Sequence, residues 1–212
     1  MENKNKDLIK KLRDNAELAW SAYGYYDFFT EPFYHMYLLD DNKQAHYIKD
    51  ITDIMNISYM GCDVYVADLI FPNREGIKVG TLKGDFSPLQ AKRFFEKYDL
   101  LKHCPNTHSG FSATLFQNKE TKEYTLAIRG TEIKLSQAWQ DIITTDGSLL
   151  LSSTPLEQYN DMLRFYNQCK AKYPAMTESK SLNIAGHSLG GALAQMLTLS
   201  ICDNKNRKDY RL

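Results

Sequence analysis

Apolar residues recur at helical spacing from Lys6 to Ala22, where Leu8, Ile9, Leu12, Ala16, Ala19 and Trp20 share one side of a period of about 3.6 residues. This predicts an amphipathic helix laid on a core. It runs into an aromatic cluster, Trp20, Tyr23, Tyr25, Tyr26, Phe28 and Phe29, interrupted by Gly24. That cluster reads either as packing at the base of a sheet or as a lipid-facing surface. A second helix is expected over Lys43 to Met55 and a strand over Val64 to Ile70. Ser87-Pro88 is a helix start, an N-cap with proline in the first turn, and leads through Leu89 to Tyr98. Thr154-Pro155 repeats the device for a helix reaching about Ala171. Between these helices, Glu123 to Thr131 alternates and then runs apolar, as a half-buried strand stopped at Gly130-Thr131. No internal repeat, low-complexity block or linker interrupts the chain, so residues 1–212 read as one α/β domain.

The strongest local pattern is Leu182-Asn183-Ile184-Ala185-Gly186-His187-Ser188-Leu189-Gly190-Gly191-Ala192-Leu193-Ala194, a short apolar strand turning directly into an alanine-rich helix. A serine at such a corner is the pattern of a nucleophile elbow. The corner residue is forced into a strained backbone conformation, and positions two before and two after it must be nearly free of side chain. Gly186 and Gly190 meet that demand, and Gly191 stands where helix and strand pack closely. The bend lifts the Ser188 hydroxyl clear of the sheet while the first helical amides point toward the carbon it attacks. Acyl transfer suits that geometry.

A tetrahedral intermediate needs more than one donor for its negative charge. If the strand ending at Gly130-Thr131 neighbours the elbow strand, the Thr131 N–H meets that of Leu189 across the reacting carbonyl, and the Thr131 hydroxyl adds a hydrogen bond or fixes the loop. Taken alone, Arg129-Gly130-Thr131 reads as an ordinary strand-ending turn; its pairing with the elbow is what suggests an oxyanion hole.

Gly186-His187-Ser188-Leu189-Gly190-Gly191 together with Ala127-Ile128-Arg129-Gly130-Thr131 resembles the class 3 lipase family of α/β-hydrolases. Ser109 to Phe116 resembles the strand that pairs with the Arg-Gly-Thr strand in bacterial members. Trp139 to Gly147 resembles the Trp and Asp segment after the oxyanion loop, and Gln158-Tyr159 opens a helix of the expected kind. The resemblance covers roughly residues 109 to 202. It implies an α/β-hydrolase fold, with a mostly parallel central sheet flanked by helices. It also implies a serine ester hydrolase for acylglycerols or phospholipids, phospholipase A1-like action included, with Ser188 as nucleophile and the amides of Thr131 and Leu189 as oxyanion donors. No cofactor or metal is implied; the partners expected are a lipid ester and, transiently, a membrane interface.

The chain departs from this pattern after the elbow. A serine needs a histidine to take its proton and a carboxylate to orient that histidine, and in this fold both follow the serine. No histidine follows Ser188, and the acids there are Asp203 and Asp209. Asp203 lies about 20 Å along the helix from Ser188, at 1.5 Å per residue. Upstream, His187 adjoins the serine but points the other way on an elbow, and His103-Cys104 and His108 sit near Pro105 as a loop without metal-ligand spacing. Asp141 and Asp146 precede the elbow and read as supporting or helix-start carboxylates. The expectation is an α/β-hydrolase domain incomplete at its C-terminus, ending before the strands that carry acid and base, and inactive by itself. The alternative is a non-catalytic module that uses the scaffold to bind lipid or protein. A peptidase or acyltransferase reading stands third.

Composition narrows the classes further. Lys plus Arg and Asp plus Glu are both 26, so no net field draws the chain to nucleic acid. No run approaches the length of a membrane span, and Met1 to Arg13 lacks the apolar core of a cleaved leader, which fits a cytoplasmic protein or leaderless secretion. Cys62, Cys104, Cys169 and Cys202 form no paired motif. Glu132 to Ser153, with Trp139, Ile142, Ile143 and Leu149 to Leu151, is where a lid over an acyl groove is expected, against simple burial.

Overall fold

The computed structural model describes residues 2–30, 36–39, 44–48, 50–66, 76–130 and 156–208. The expected lid, Thr131, Trp139, Asp141, Asp146 and the Thr154-Pro155 helix start lie outside them.

The first half begins with helices α1 (Glu2–Ser21) and α2 (Asp27–Thr30). Strands β1 (Met36–Leu39) and β2 (Ala45–Tyr47), helix α3 (Thr52–Met55), and strands β3 (Asp63–Val66) and β4 (Ile77–Thr81) follow. These strands form an antiparallel sheet ordered β2-β1-β3-β4. Within its described residues, the helix expected over Lys43 to Met55 is strand β2 and the single turn α3. Tyr47 pairs with Tyr37 across β1, and their rings meet edge-on at 6.3 Å. An aromatic cross-strand contact of this kind outweighs a modest helical periodicity.

The second half runs from α4 (Pro88–Lys97) through β5 (Tyr98–Cys104), β6 (Ala113–Asn118), β7 (Tyr124–Ile128), α5 (Leu156–Lys172), β8 (Leu182–Gly186) and α6 (Leu189–Lys208). Ser87 caps α4 by accepting the Gln90 N–H at 3.2 Å, as Ser87-Pro88 predicts. The four strands form a sheet ordered β5-β6-β7-β8. Only β7 and β8 are parallel; β5 with β6 and β6 with β7 are antiparallel. Among the described strands the sheet is thus mixed rather than mostly parallel. Connection length explains the difference: short links can only reverse the chain, whereas a parallel pair needs a crossover of a dozen residues or more. The short turn after Asn118 reverses β6 into β7, and the long stretch holding α5 makes β7 and β8 parallel.

Side chains alternate across β6 and β7 to feed two cores. On one face Phe116 and Ala127 join Leu18, Tyr26, Phe94 and Phe95; on the other, Leu115, Leu126 and Ile128 join Met162 and Phe165 of α5 and Leu193 and Leu197 of α6. β7 is buried along its whole length, which accounts for its nearly continuous apolar run. Within the aromatic cluster Tyr26 and Phe28 are core residues, so packing is the better description of it, although Trp20 is 40% exposed.

Helix α1 forms where its periodicity places it but is rotated from the expected orientation. Its inward face carries Asp14, Leu18 and Ser21: Lys97 Nζ donates to Asp14 at 2.5 Å, and the Tyr26 hydroxyl donates to the Ser21 carbonyl at 2.8 Å. Leu8, Ile9 and Leu12 consequently look outward, at 58%, 66% and 60% exposure. None of the four cysteines is in a disulfide, and burial pushes the Cys104 thiol up to about 11 and that of Cys169 up to about 12. No described helix is long and apolar enough to cross a membrane.

Candidate functional site

The parallel register of β7 and β8 fixes what meets at the sheet's end. Ile128 lies opposite Gly186, so Arg129-Gly130 and His187-Ser188 leave the sheet side by side. Here the chain makes its tightest turn: Ser188 has φ +55, a left-handed backbone rare for a residue with a side chain. The turn is closed by the Gly190 N–H on the His187 carbonyl at 3.0 Å. The Gly191 and Ala192 N–H groups donate to the Ser188 carbonyl at 2.9 and 3.3 Å.

Glycine is imposed by contact. A Cβ on Gly186 would run into the backbone carbonyl of Gly190, and one on Gly190 would strike the Ile128 carbonyl oxygen and lie 2.9 Å from the Arg129 carbonyl carbon. Gly191 is less constrained, with the Gly186 carbonyl oxygen 3.2 Å from its Cβ position. A Cβ on Gly130 would stand 2.5 Å from the His187 carbonyl oxygen, 2.7 Å from the Tyr23 hydroxyl and 3.3 Å from Ser188 Cβ. The tip of β7, the turn and the end of α1 therefore converge on one point.

Ser188 is exposed at the mouth of the twenty-residue helix α6, whose dipole places positive potential there. Among the described residues the Leu189 N–H meets no hydrogen-bond acceptor. Thr131 lies outside the described residues, which end this strand at Gly130. Beneath the tip, Arg129 is 4% exposed, with its guanidinium 5.6 Å from the Tyr25 ring centre.

The histidines are placed as follows. His187 turns toward α1: Nδ1 lies 3.2 Å from the Tyr23 hydroxyl, and Trp20 meets the imidazole edge-on at 5.7 Å. His103 belongs to strand β5 rather than to a loop. Its side chain is 4% exposed, with Nδ1 2.8 Å from the Thr114 hydroxyl and Nε2 3.6 Å from Asp27. His46 lies on β2 and His108 in the turn after β5, both exposed. Among the described residues, none of these histidines is hydrogen-bonded to the Ser188 hydroxyl. His35 and Asp209 lie outside them, as does the side chain of Asp203. No described cluster of His, Cys, Asp and Glu could hold a metal ion.

Tyr23 and Trp20 are the residues beside this turn that the linear pattern did not single out as site residues. Their only signal was the aromatic cluster at the end of α1, and nothing in its spacing linked it to a serine so far along the chain.

A family model described as Lipase (class 3) matches residues 96–212, more than half of the chain and beginning within α4. No curated protein and no solved structure matches the chain.

Proposed function

The chain belongs to the class 3 lipase family, lipase-type ester hydrolases of α/β-hydrolase fold, and on that premise we propose that it is a serine carboxylic ester hydrolase acting on acylglycerols or phospholipids through an acyl-enzyme on Ser188. Ser188 Oγ attacks the ester carbonyl carbon and its proton passes to a base. The carbonyl oxygen, now negative, sits between the N–H groups of Leu189 and Thr131. Collapse expels the alcohol, which takes up a proton, and water then releases the fatty acid by the same route. Gly186, Gly190 and Gly191 support the elbow.

The observation that carries this reading is the Ser188 backbone: φ +55 on an exposed serine, between the mouth of a helix and the tip of a parallel strand. Strain of this kind costs on the order of 1–3 kcal/mol and persists where the surroundings enforce it, commonly at reacting groups. Among the described residues no histidine is hydrogen-bonded to Ser188. The second reading is a module that binds lipid or protein without turning it over.

Hydrolysis of p-nitrophenyl butyrate by this chain and by Ser188→Ala separates the two. A serine held at such a turn attacks an activated ester slowly even when only water or a buffer base takes its proton. A slow release that Ser188→Ala abolishes is expected, strengthened by added imidazole standing in for the base. Equal release from both proteins overturns the mechanism. No release above buffer, with or without imidazole, leaves the binding reading.

A further inference from the structure

The ladder between β7 and β8 ends at Ile128 and Gly186, so it no longer sets how far the outgoing chain at Gly130 stands from the turn at Ser188. One hydroxyl meets both. Tyr23 Oη shares a hydrogen bond of 3.2 Å with Nδ1 of His187, the residue directly before the serine. It also stands 2.7 Å from the position of a Cβ on Gly130, a point 3.3 Å from Ser188 Cβ. The hydroxyl therefore fills the space that a side chain at 130 would take.

Tyr23 is held from behind by the corner at the end of α1. The Tyr23 and Gly24 N–H groups donate to the Trp20 and Ser21 carbonyls, each at 3.1 Å. Tyr26 is fully buried, its hydroxyl bonded to the Ser21 carbonyl and its ring in the space that a side chain on Gly24 would need. The corner thus sends Tyr26 into the core and Tyr23 toward the elbow. Trp20 lies against both partners, its ring centre 5.4 Å from that of Tyr23 and 5.7 Å from that of His187, and its indole N–H donates to Asp85. Tyr25, next along the corner, meets the Arg129 guanidinium. Both residues that lead out of β7, Arg129 and Gly130, therefore rest on this one corner.

We propose that Tyr23 is a positioning residue for the reaction at Ser188, its hydroxyl the strut that fixes the nucleophile turn against the outgoing end of β7. His187 is the other half of the strut, which gives its imidazole a task other than that of base. A nucleophile and the donors that receive the developing negative charge act together only at a fixed separation, and a misplacement of about 1 Å costs about 10²-fold in rate. Tyr23 acts on that separation through its two neighbours and takes no proton from the serine. The inference rests on the reading of Ser188 as the nucleophile.

Labelling of Ser188 by a fluorophosphonate at several probe concentrations, with imidazole held constant, separates probe binding (KI) from attack (kinact). Tyr23→Phe keeps the ring and is expected to lower kinact about tenfold, the worth of one hydrogen bond, with KI and Tm unchanged. His187→Ala breaks the same bond from an exposed position and slows attack equally, so a folding defect in one variant does not decide the matter. His187→Asn, whose amide stands where Nδ1 stood, recovers most of the rate that His187→Ala loses. The double variant Tyr23→Phe/His187→Ala is no slower than either single one, because a shared bond is lost only once. Attack at the unchanged rate in Tyr23→Phe overturns the proposal. So do losses that add in full in the double variant, which mean two separate structural effects. Absence of any adduct on Ser188 in the unaltered chain overturns the nucleophile reading itself, and this inference with it.

Discussion

Helices α1 and α6 are both twenty residues long and both flank β8, yet they relate to the core in opposite ways. α6 leaves the sheet through a turn whose glycines touch the neighbouring strand, and it sets Leu193 and Leu197 into the core. α1 has the cleaner amphipathic pattern but turns its apolar stripe outward, held by polar bonds at Asp14, Gln90 and Trp20. A hydrophobic stripe states which face gains from burial; it does not say which face this chain buries. Backbone-to-backbone contact, as at Gly190, leaves no such freedom.

The largest effects are expected where α6 is locked in. Gly190→Ala pushes a methyl group into the Ile128 carbonyl, and Leu197→Ala empties a fully buried site; overpacking and cavity formation cost about 1–3 and 2–5 kcal/mol respectively. Urea midpoints measure both. If Gly190→Ala proved neutral, the turn would be less constrained than its contacts imply.

An intermediate effect is expected at the polar clamp on α1. Burial tends to raise the Asp14 carboxyl, but hydrogen bonds from Lys97 and Arg13 outweigh it and hold Asp14 below its ordinary value. Lys97, lowered by burial, is raised further by Asp14 and Tyr98. Asp14 therefore contributes stability at neutral pH that is lost as pH falls through its depressed value. Lys97 contributes stability that is lost as pH rises through its raised one. Asp14→Asn should cost about 1 kcal/mol and flatten both limbs of a plot of Tm against pH. Unchanged limbs would mean that the clamp is not what orients α1. The smallest effect is expected at Leu12→Ala, within about 0.5 kcal/mol, because that side chain is already in solvent.

The same contrast marks what could be read from the residues alone. The strand-turn-helix at Ser188, the helix start at Ser87 and the strand ending at Gly130 are local, each set by a glycine, a cap or a short run, and the structure has the corresponding elements. The antiparallel β5-β6-β7 order follows from short connections, a local signal that the mostly parallel sheet implied by the family resemblance does not carry. The β1–β4 sheet was largely hidden: its strands are three to five residues long, and β2 owes its existence to β1 rather than to its own pattern. Pro105 gives the sequence around His103 the signature of a loop, while β5 continues to Cys104 before the chain leaves the sheet.

The account rests on the hydroxyl of Ser188 standing ready at the mouth of α6. A fluorophosphonate probe, which forms a covalent bond only with a serine able to attack it, tests this most directly when the adduct is located by mass spectrometry of the digested protein. The account predicts an adduct confined to the peptide containing Gly186 to Gly191, slow to form, accelerated by added imidazole as proton acceptor, and absent from Ser188→Ala. An adduct on another serine, or labelling that persists in Ser188→Ala, would contradict it.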